Sequence, residues 1–502
     1  MDLLHLQNGS DIRGIAISTH EHTANLTQEN VQDITKGVIN WLCQNPVLHE
    51  KYQQGTLTIG VGRDSRLSGP SLSQTFRETA LAFGVNIIDF GLATTPAMFM
   101  STQYEQFKTD AGIMFTASHL PFYFNGIKIF SQTGGAEHED IEYILTHTQT
   151  PQSQHKGNLQ YHSILPTYAK DLVQKIQQGC TLDTPTPLKD MHIIVDAGNG
   201  AGGFFAKEVL AVLGADISGS QFLEPDGNFP NHIPNPDNKE AMESIKQAVL
   251  RHQADLGIIF DTDVDRSAVV TKDGQLLNRN NLIAILSYIV LSEHPNTSIV
   301  TNSPTSEHLK NFIHSLGGKQ VRYISGYRNV INRAIDLNNS GTDCQLAIET
   351  SGHAAFKENY FLDDGTYAVA KILMLLPRLL DKQTSLSDLI ATLKQPAQTQ
   401  EVRFKLEIEN YQQYGRQIID NLRQKDIVGF TLNHDNEEGV RFDVHSPYGS
   451  GWFLLRMSLH EPLLVLQIEN DEKGYIPAIL RELHQFFNDY THLNQEKLIA
   501  LL

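Results

Sequence analysis

Short apolar runs that stop at a glycine or a carboxylate punctuate this chain, and a polar loop and a stretch of helical period follow them. Leu57-Thr58-Ile59-Gly60-Val61-Gly62 leads through Arg63–Pro70 into a helical stretch and then to Phe83-Gly84-Val85-Asn86-Ile87-Ile88. His192-Ile193-Ile194-Val195-Asp196 repeats the plan through Ala197-Gly198-Asn199-Gly200. The helix predicted next carries Phe205, Val209 and Val212 on one face, and Leu213-Gly214-Ala215-Asp216-Ile217 is the strand expected after it. Ser298-Ile299-Val300-Thr301 begins the plan again and reaches Leu316–Val321. A glycine closes each helix before the next strand. The repetition predicts three related α/β domains, with one large α/β domain as the alternative. In open sheets of this kind, ligands gather at the loops beyond the strand C-termini.

The last stretch has a different period. Pro396-Ala397-Gln398-Thr399-Gln400 is read as a linker. Val402–Leu406, Gly439–Val444, Trp452–Arg456 and Leu463–Ile468 then alternate as half-buried strands do. Helical patterns near Tyr411–Leu422 and Ile476–Phe487 complete an α+β domain. The apolar run Leu282–Leu291 is too short to span a bilayer and is interrupted by Ser287 and Tyr288.

A length of 502 residues calls for several domains. The formal charge of −18 argues against nucleic acid or an anionic membrane as partner. A phosphorylated small molecule remains compatible with it if the cations are gathered in one cleft. Cys43, Cys180 and Cys344 form no C-x-x-C pair and are expected as free thiols. With no basic n-region or apolar h-region after Met1, the expected location is the cytoplasm.

Two loops carry candidate chemistry. Thr116-Ala117-Ser118-His119-Leu120-Pro121 follows the apolar Ala111–Phe115, with Lys128 close behind. Ser118 is a candidate nucleophile or phosphate carrier, outside any G-x-S-x-G elbow. Asp261-Thr262-Asp263-Val264-Asp265-Arg266 follows the apolar Leu256–Phe260. Its three carboxylates repel one another unless protons or a hard cation intervene. An EF-hand is excluded, because its glycine and glutamate positions hold Arg266 and Lys272. A serine able to carry phosphate beside such a cluster points to phosphoryl transfer. A phosphatase with Asp261 as nucleophile stays open, as does a solvated acidic turn. Glu349-Thr350-Ser351-Gly352-His353 offers groups suited to sugar hydroxyls, and Arg456–Pro462 offers an arginine, a hydroxyl and amides suited to a phosphate.

Together these segments resemble the α-D-phosphohexomutase family, the phosphomannomutase/phosphoglucomutase type, over nearly the whole chain and in the family's order. Asp11-Ile12-Arg13-Gly14, Gly62–Pro70, Val195–Gly200 and Glu224–Pro230 match further segments. The resemblance implies an α/β fold of four domains around a central cleft: 1–157 with the phosphoserine loop, 158–267 with the metal loop, 268–390 with the sugar loop and 391–502, α+β, with the phosphate loop. The first three share a mixed-sheet topology. It implies an isomerase that interconverts mannose or glucose 1- and 6-phosphates through a 1,6-bisphosphate. Glucose 1,6-bisphosphate, or an equivalent hexose bisphosphate, is the implied activator. Ser118 would carry the phosphoryl group, assisted by Arg13, His119 and Lys128, and Mg²⁺ would bind Ser118, Asp261, Asp263 and Asp265. Arg266, Gly326, Tyr327, Arg328, Glu349, Ser351, His353, Arg456, Ser458 and His460 would face the substrate. A monomer or homodimer is implied.

The chain departs from the family pattern at Leu120, at Tyr327, at Leu459 and His460, and in Thr301-Asn302-Ser303, which lacks a lysine. These positions bear on the choice of sugar. A glucosamine-phosphate mutase, a phosphosugar phosphatase and a non-catalytic phosphosugar-binding protein are the competing expectations.

Overall fold

A computed structural model describes residues 3–153, 155–180, 182–459 and 461–502. The chain forms two compact units, one of Met1–Ile289 with Ser351–Leu389, the other of Val290–Thr350 with Ile390–Leu502. The architecture is mixed α/β, with several mixed sheets.

In the first unit, the parallel strands Ala111–Phe115, Thr58–Arg63, Asn86–Leu92 and Leu159–Tyr161 lie side by side. Phe124–Ser131 and Asp11–Ile15 extend that sheet antiparallel on the Ala111 side. All of Ala111–Phe115 is buried, as a strand covered on both faces requires. Arg63 pairs with Phe115, so the loops that begin at Asp64 and Thr116 leave adjacent strands at the same edge. A smaller sheet runs Leu276–Leu277, Ser267–Thr271, Leu256–Phe260, Ile193–Asp196; only its last pair is parallel. The antiparallel pair Ala354–Phe356 and Leu362–Asp363 precedes the helix Gly365–Asp381, whose N-terminus the Asp364 carboxylate caps at Tyr367 N.

In the second unit, Lys319–Tyr323, Ser298–Asn302 and Cys344–Ile348 are parallel. The C-terminal stretch is the expected α+β arrangement: an antiparallel sheet around Gly451–Met457 and Leu463–Asn470, covered by the helices Tyr411–Arg423 and Ile476–Phe487.

Three expectations are corrected. Gln398–Gln400 is not linker: it opens the strand Gln398–Lys405 and pairs with Ile468–Asn470. Its polar residues hide a strand because backbone pairing needs no apolar side chain. The segment after Gly200 winds with i→i+5 bonds over Phe205–Leu210, as in Ala211 N to Ala206 O. That wider turn moves Leu213 into the core and leaves Val212 exposed. Residues 213–217 form no strand; they contribute the isolated bridge of Asp216 to His192. The three cysteines are in no disulfide.

Candidate functional site

The serine loop turns on an unusual backbone. Ser118 sits at φ +50°, a left-handed conformation that a non-glycine residue adopts only when its surroundings hold it. Its amide donates to Thr116 Oγ1 at 3.0 Å, and Thr116 Oγ1 donates in turn to Asp64 Oδ2 at 2.7 Å. The acidic loop carries a second outlier, the β-branched Val264 at φ +70°. Both outliers lie in loops that leave buried strands.

These loops, far apart in sequence, meet. Ser118 Oγ donates to Asp261 Oδ2 at 2.9 Å and accepts from Arg266 Nη2 at 2.9 Å. The same Arg266 nitrogen donates to His119 Nδ1 at 2.7 Å, and that ring atom is 3.4 Å from Ser118 Oγ. Lys128 Nζ donates to Asp265 Oδ2 at 2.5 Å and stands 3.8 Å from Asp263 Oδ2. Thr95, first residue of the helix Thr95–Met100, donates its hydroxyl to Asp263 Oδ2 at 2.5 Å. Arg13 is held by Asp11 at 3.0 Å and is close enough to help depress the pKa of His119.

Asp261, Asp263 and Asp265 are each 0% exposed. One oxygen from each lies within 4.8 Å of the others. Asp263 Oδ1 and Asp265 Oδ1 are buried with no hydrogen-bond partner among the described residues. Buried carboxylate oxygens without donors are costly, and a hard cation with oxygen preference is the group that satisfies them. The residues therefore fit a divalent cation.

The charges are unequally shared. Burial, and then Asp265, push the Asp261 carboxyl well above its ordinary range against the pull of Arg266. Burial also pushes on Asp265, but Lys128, His353 and Arg266 more than reverse it and hold that carboxylate down. Burial alone lowers Arg266; Asp261, Asp265 and Asp263 outweigh it and raise the guanidinium. Burial, with Arg266 and Arg13 nearby, lowers His119 well below the usual imidazole range, so the neutral ring accepts from Arg266.

His353, expected at the sugar, lies on the acidic loop. Its backbone bridges Arg266, and its Nδ1 is 2.5 Å from Asp363 Oδ2 and 3.9 Å from Asp265 Oδ1. Arg266, also expected at the substrate, is engaged by Asp261, Ser118 and His119. Gly365 explains how tightly this corner is built: a Cβ there would come 2.8 Å from the Arg266 backbone and 2.9 Å from Val264 O. Ser351 Oγ is buried without a hydrogen-bond partner among the described residues.

The remaining expected residues lie in the second unit. Glu349, at the end of the strand Cys344–Ile348, accepts from Gly326 N at 2.7 Å. Gly326 has φ +115°, which only glycine adopts freely, and Tyr327 and Arg328 then open the helix Tyr327–Asn339. Arg328 donates to Asn332 at 3.1 Å. Arg456, next to last in the strand Gly451–Met457, donates to Met457 O at 3.2 Å and stands 3.7 Å from Glu438 Oε1. Glu438 Oε2 accepts from Ser325 Oγ at 2.6 Å. Ser458 uses its amide on Leu463 O at 2.9 Å, and Leu459 is 46% exposed. His460 lies outside the described residues.

Sequence reasoning gave no role to Asp64, Arg66, Thr95, Thr116, Asp363 or Glu438. Arg66 lay inside a quoted segment, and Asp363-Asp364-Gly365 carries a helix-start signal. Nothing local marks Thr95 or Glu438, whose partners are distant in sequence.

Profiles described as phosphoglucomutase/phosphomannomutase, alpha/beta/alpha domains I, II and III, match residues 5–155, 166–274 and 278–396. A phosphomannomutase/phosphoglucomutase of Pseudomonas putida is 32% identical over 85% of this chain and 86% of its own length. A phosphoglucomutase of Neisseria gonorrhoeae is 30% identical over 88% of this chain and 91% of its own. Among solved structures, a phosphoglucomutase/phosphomannomutase family protein of Burkholderia thailandensis superposes with a TM-score of 0.76 at 25% identity, covering 96% of both chains. The open form of parafusin, a phosphoglucomutase from Paramecium, superposes with a TM-score of 0.68 at 17% identity over 91% of this chain and 90% of its own.

Proposed function

The chain belongs to the phosphoglucomutase/phosphomannomutase family, and from that premise we propose that it interconverts a hexose 1-phosphate and a hexose 6-phosphate, of mannose or glucose, with Ser118 as the phosphoryl carrier. One observation carries this reading. Ser118 Oγ, at the end of one buried strand, lies 2.9 Å from Asp261 Oδ2, at the end of another 143 positions away in sequence. Domain limits at 157, 267 and 390 go with it, supported by the spans of the three profiles and by the separate C-terminal sheet.

Asp261, Asp263, Asp265 and the oxygen on Ser118 would hold Mg²⁺. The ion would supply positive charge to the oxygens of the phosphoryl group being transferred. The chain's own cations act beside it. Arg266 reaches the Ser118 oxygen directly, and Lys128 adds charge beside Asp265 and Asp263. In each half-reaction the P–O bond to one oxygen breaks as that to the other forms. The proton of the hydroxyl that gains the phosphoryl group ends on the oxygen that loses it. Two such transfers, with the bisphosphate turned end for end between them, regenerate phosphoserine and isomerise the sugar.

Recognition falls to the other loops. Arg456 and the Ser458 hydroxyl suit the phosphate that does not react, because a guanidinium binds such an anion through charge-assisted hydrogen bonds. Glu349 and Ser351 suit the sugar hydroxyls. Binding energy at the remote phosphate then serves to position the reacting end. Among the described residues no helix is long and apolar enough to cross a membrane; the proposed compartment, the cytoplasm, is supported by thiols left out of disulfides.

The test is a coupled assay of the Mg²⁺-loaded protein with catalytic glucose 1,6-bisphosphate, on mannose, glucose and glucosamine 1-phosphates, beside Ser118→Ala. Formation of a 6-phosphate that the variant loses is the expected result. Steady release of inorganic phosphate instead would overturn it in favour of a phosphatase.

A further inference from the structure

Arg66 is 0% exposed, and its guanidinium is bound almost wholly to one loop. Its Nη1 donates to Pro121 O at 2.9 Å and Phe124 O at 3.0 Å. Its Nη2 donates to Leu120 O at 2.7 Å and, at shorter range, to Ser118 O. Four carbonyls of a single turn, beginning at the serine itself, thus converge on one guanidinium. The planar fork of arginine matches that set; a lysine ammonium, with three donors on a point charge, does not.

The arginine is itself fixed. Asp64 Oδ1 accepts its backbone amide at 2.9 Å, and Asp64 Oδ2 is 3.4 Å from its Nε. The same Asp64 Oδ2 takes the Thr116 hydroxyl, whose oxygen receives the Ser118 amide. Ser118 is therefore gripped at both ends of its peptide unit, its N–H through Thr116 and its C=O by Arg66. From the far side, Phe229 lies over the guanidinium at 5.3 Å. Gly227 passes so close that a Cβ would stand 2.5 Å from Ser65 O. This network surrounds the residue whose left-handed φ of +50° needs outside support.

We propose that Arg66 is a positioning residue for phosphoryl transfer: by gathering the carbonyls of Ser118, Leu120, Pro121 and Phe124 it holds the serine loop in the one backbone conformation that presents Ser118 Oγ to Asp261 and Arg266. The inference rests on the reading of Ser118 as phosphoryl carrier. Arg66 touches no reacting atom, so its loss acts on the rate of transfer and leaves binding of the sugar phosphate alone.

The experiment compares wild type, Arg66→Lys and Thr116→Val as full-length dephosphorylated proteins. Phosphate uptake on Ser118 from glucose 1,6-bisphosphate is followed by intact mass in a single turnover. In that step the P–O bond to the sugar breaks, the bond to Ser118 Oγ forms, and the serine proton passes to the sugar oxygen. Arg66→Lys is expected to slow uptake about 100-fold, the scale on which small misplacement of a reacting group costs rate. Thr116→Val is expected to slow it about 10-fold. KM for the hexose 1-phosphate should stay within about threefold of wild type in both, and amide exchange of residues 116–124 should rise. If Arg66→Lys shows no cooperative unfolding transition, Thr116→Val decides by the same criteria. A well-folded variant labelled at the wild-type rate overturns the inference alone. Wild-type protein that takes no phosphate on Ser118 overturns the carrier reading, and the inference with it. A rate loss matched by an equal rise in KM marks Arg66 as merely structural.

Discussion

The acidic corner around Ser118 and the loops around Glu349 and Arg456 differ in how far their polar groups are already committed. Around Ser118 the side chains of Asp261, Asp265, Lys128 and Arg266 are buried and bound to one another, and the two backbone outliers are locked in by neighbours. Around Arg456, among the described residues, the guanidinium's nearest carboxylate is 3.7 Å away, Ser458 spends only its backbone amide, and Leu459 is half exposed. Charge stabilisation depends on dipoles and charges fixed before the reaction, which low-dielectric burial provides. A loop that must accept a phosphate in either sugar orientation gains from groups not yet committed. On the proposed function, the chemistry is built into the first region and recognition is left to the second.

Substitutions should separate the two along kcat and KM. Ser118→Ala is expected to have the largest effect, a fall in kcat of about 10⁴-fold or more, since the covalent carrier is removed. Calorimetric affinity for the hexose phosphate should be nearly unchanged; a large loss of affinity would mean that the acidic corner also recognises substrate. Next, Asp263→Asn keeps the shape and removes one of the three clustered carboxylates, and activity should fall about 10³-fold. Its stability should move the other way. Without metal the variant should melt above wild type, because like-charge repulsion is relieved. Wild type should gain about 2.7 kcal/mol at Mg²⁺ one hundredfold above its Kd, and the variant little of this. Chelation that leaves the wild-type melting temperature unchanged would remove the cation from the account.

On the recognition side, Arg456→Gln should raise KM by roughly 10- to 100-fold, the scale of one lost hydrogen bond to a charged group, with kcat within about fivefold. An equal fall in kcat would show that the remote phosphate is used mainly in the transition state. Glu438→Gln is the mildest test. It keeps an acceptor for Ser325 but removes the charge near Arg456, and KM should drop by about threefold. An increase would show that Glu438 aims Arg456 rather than competing for it.

The serine and the acidic cluster were legible because local pattern carries them: buried strands read as apolar runs, and Asp261, Asp263 and Asp265 alternate within a few positions. Resemblance supplied the expected partners of Ser118 but not the support behind it. Arg66 is one charged residue in a polar loop until the fold brings four carbonyls onto it, and Thr95 is one of many threonines until its hydroxyl meets Asp263. The strand at Gln398–Gln400 was hidden because its stabilising bonds run through the backbone, and the wide turn at Phe205–Leu210 was hidden because the helical period was assumed constant.

The sequence by itself determined where most of the strands run, which loops leave their ends and which chemical groups those loops carry, because periodicity and neighbouring charge are written in adjacent residues. Only the tertiary structure decided which groups meet and in what ionic state. Lys128 and Asp265 are 137 positions apart, and Thr95 and Asp263 are 168 apart. Asp261 is pushed towards its neutral form while Asp265 is held as an anion, although both are aspartates of one loop. The difference arises from burial and from the cations that folding places beside each, and Coulomb interaction depends on distance through space, not along the chain.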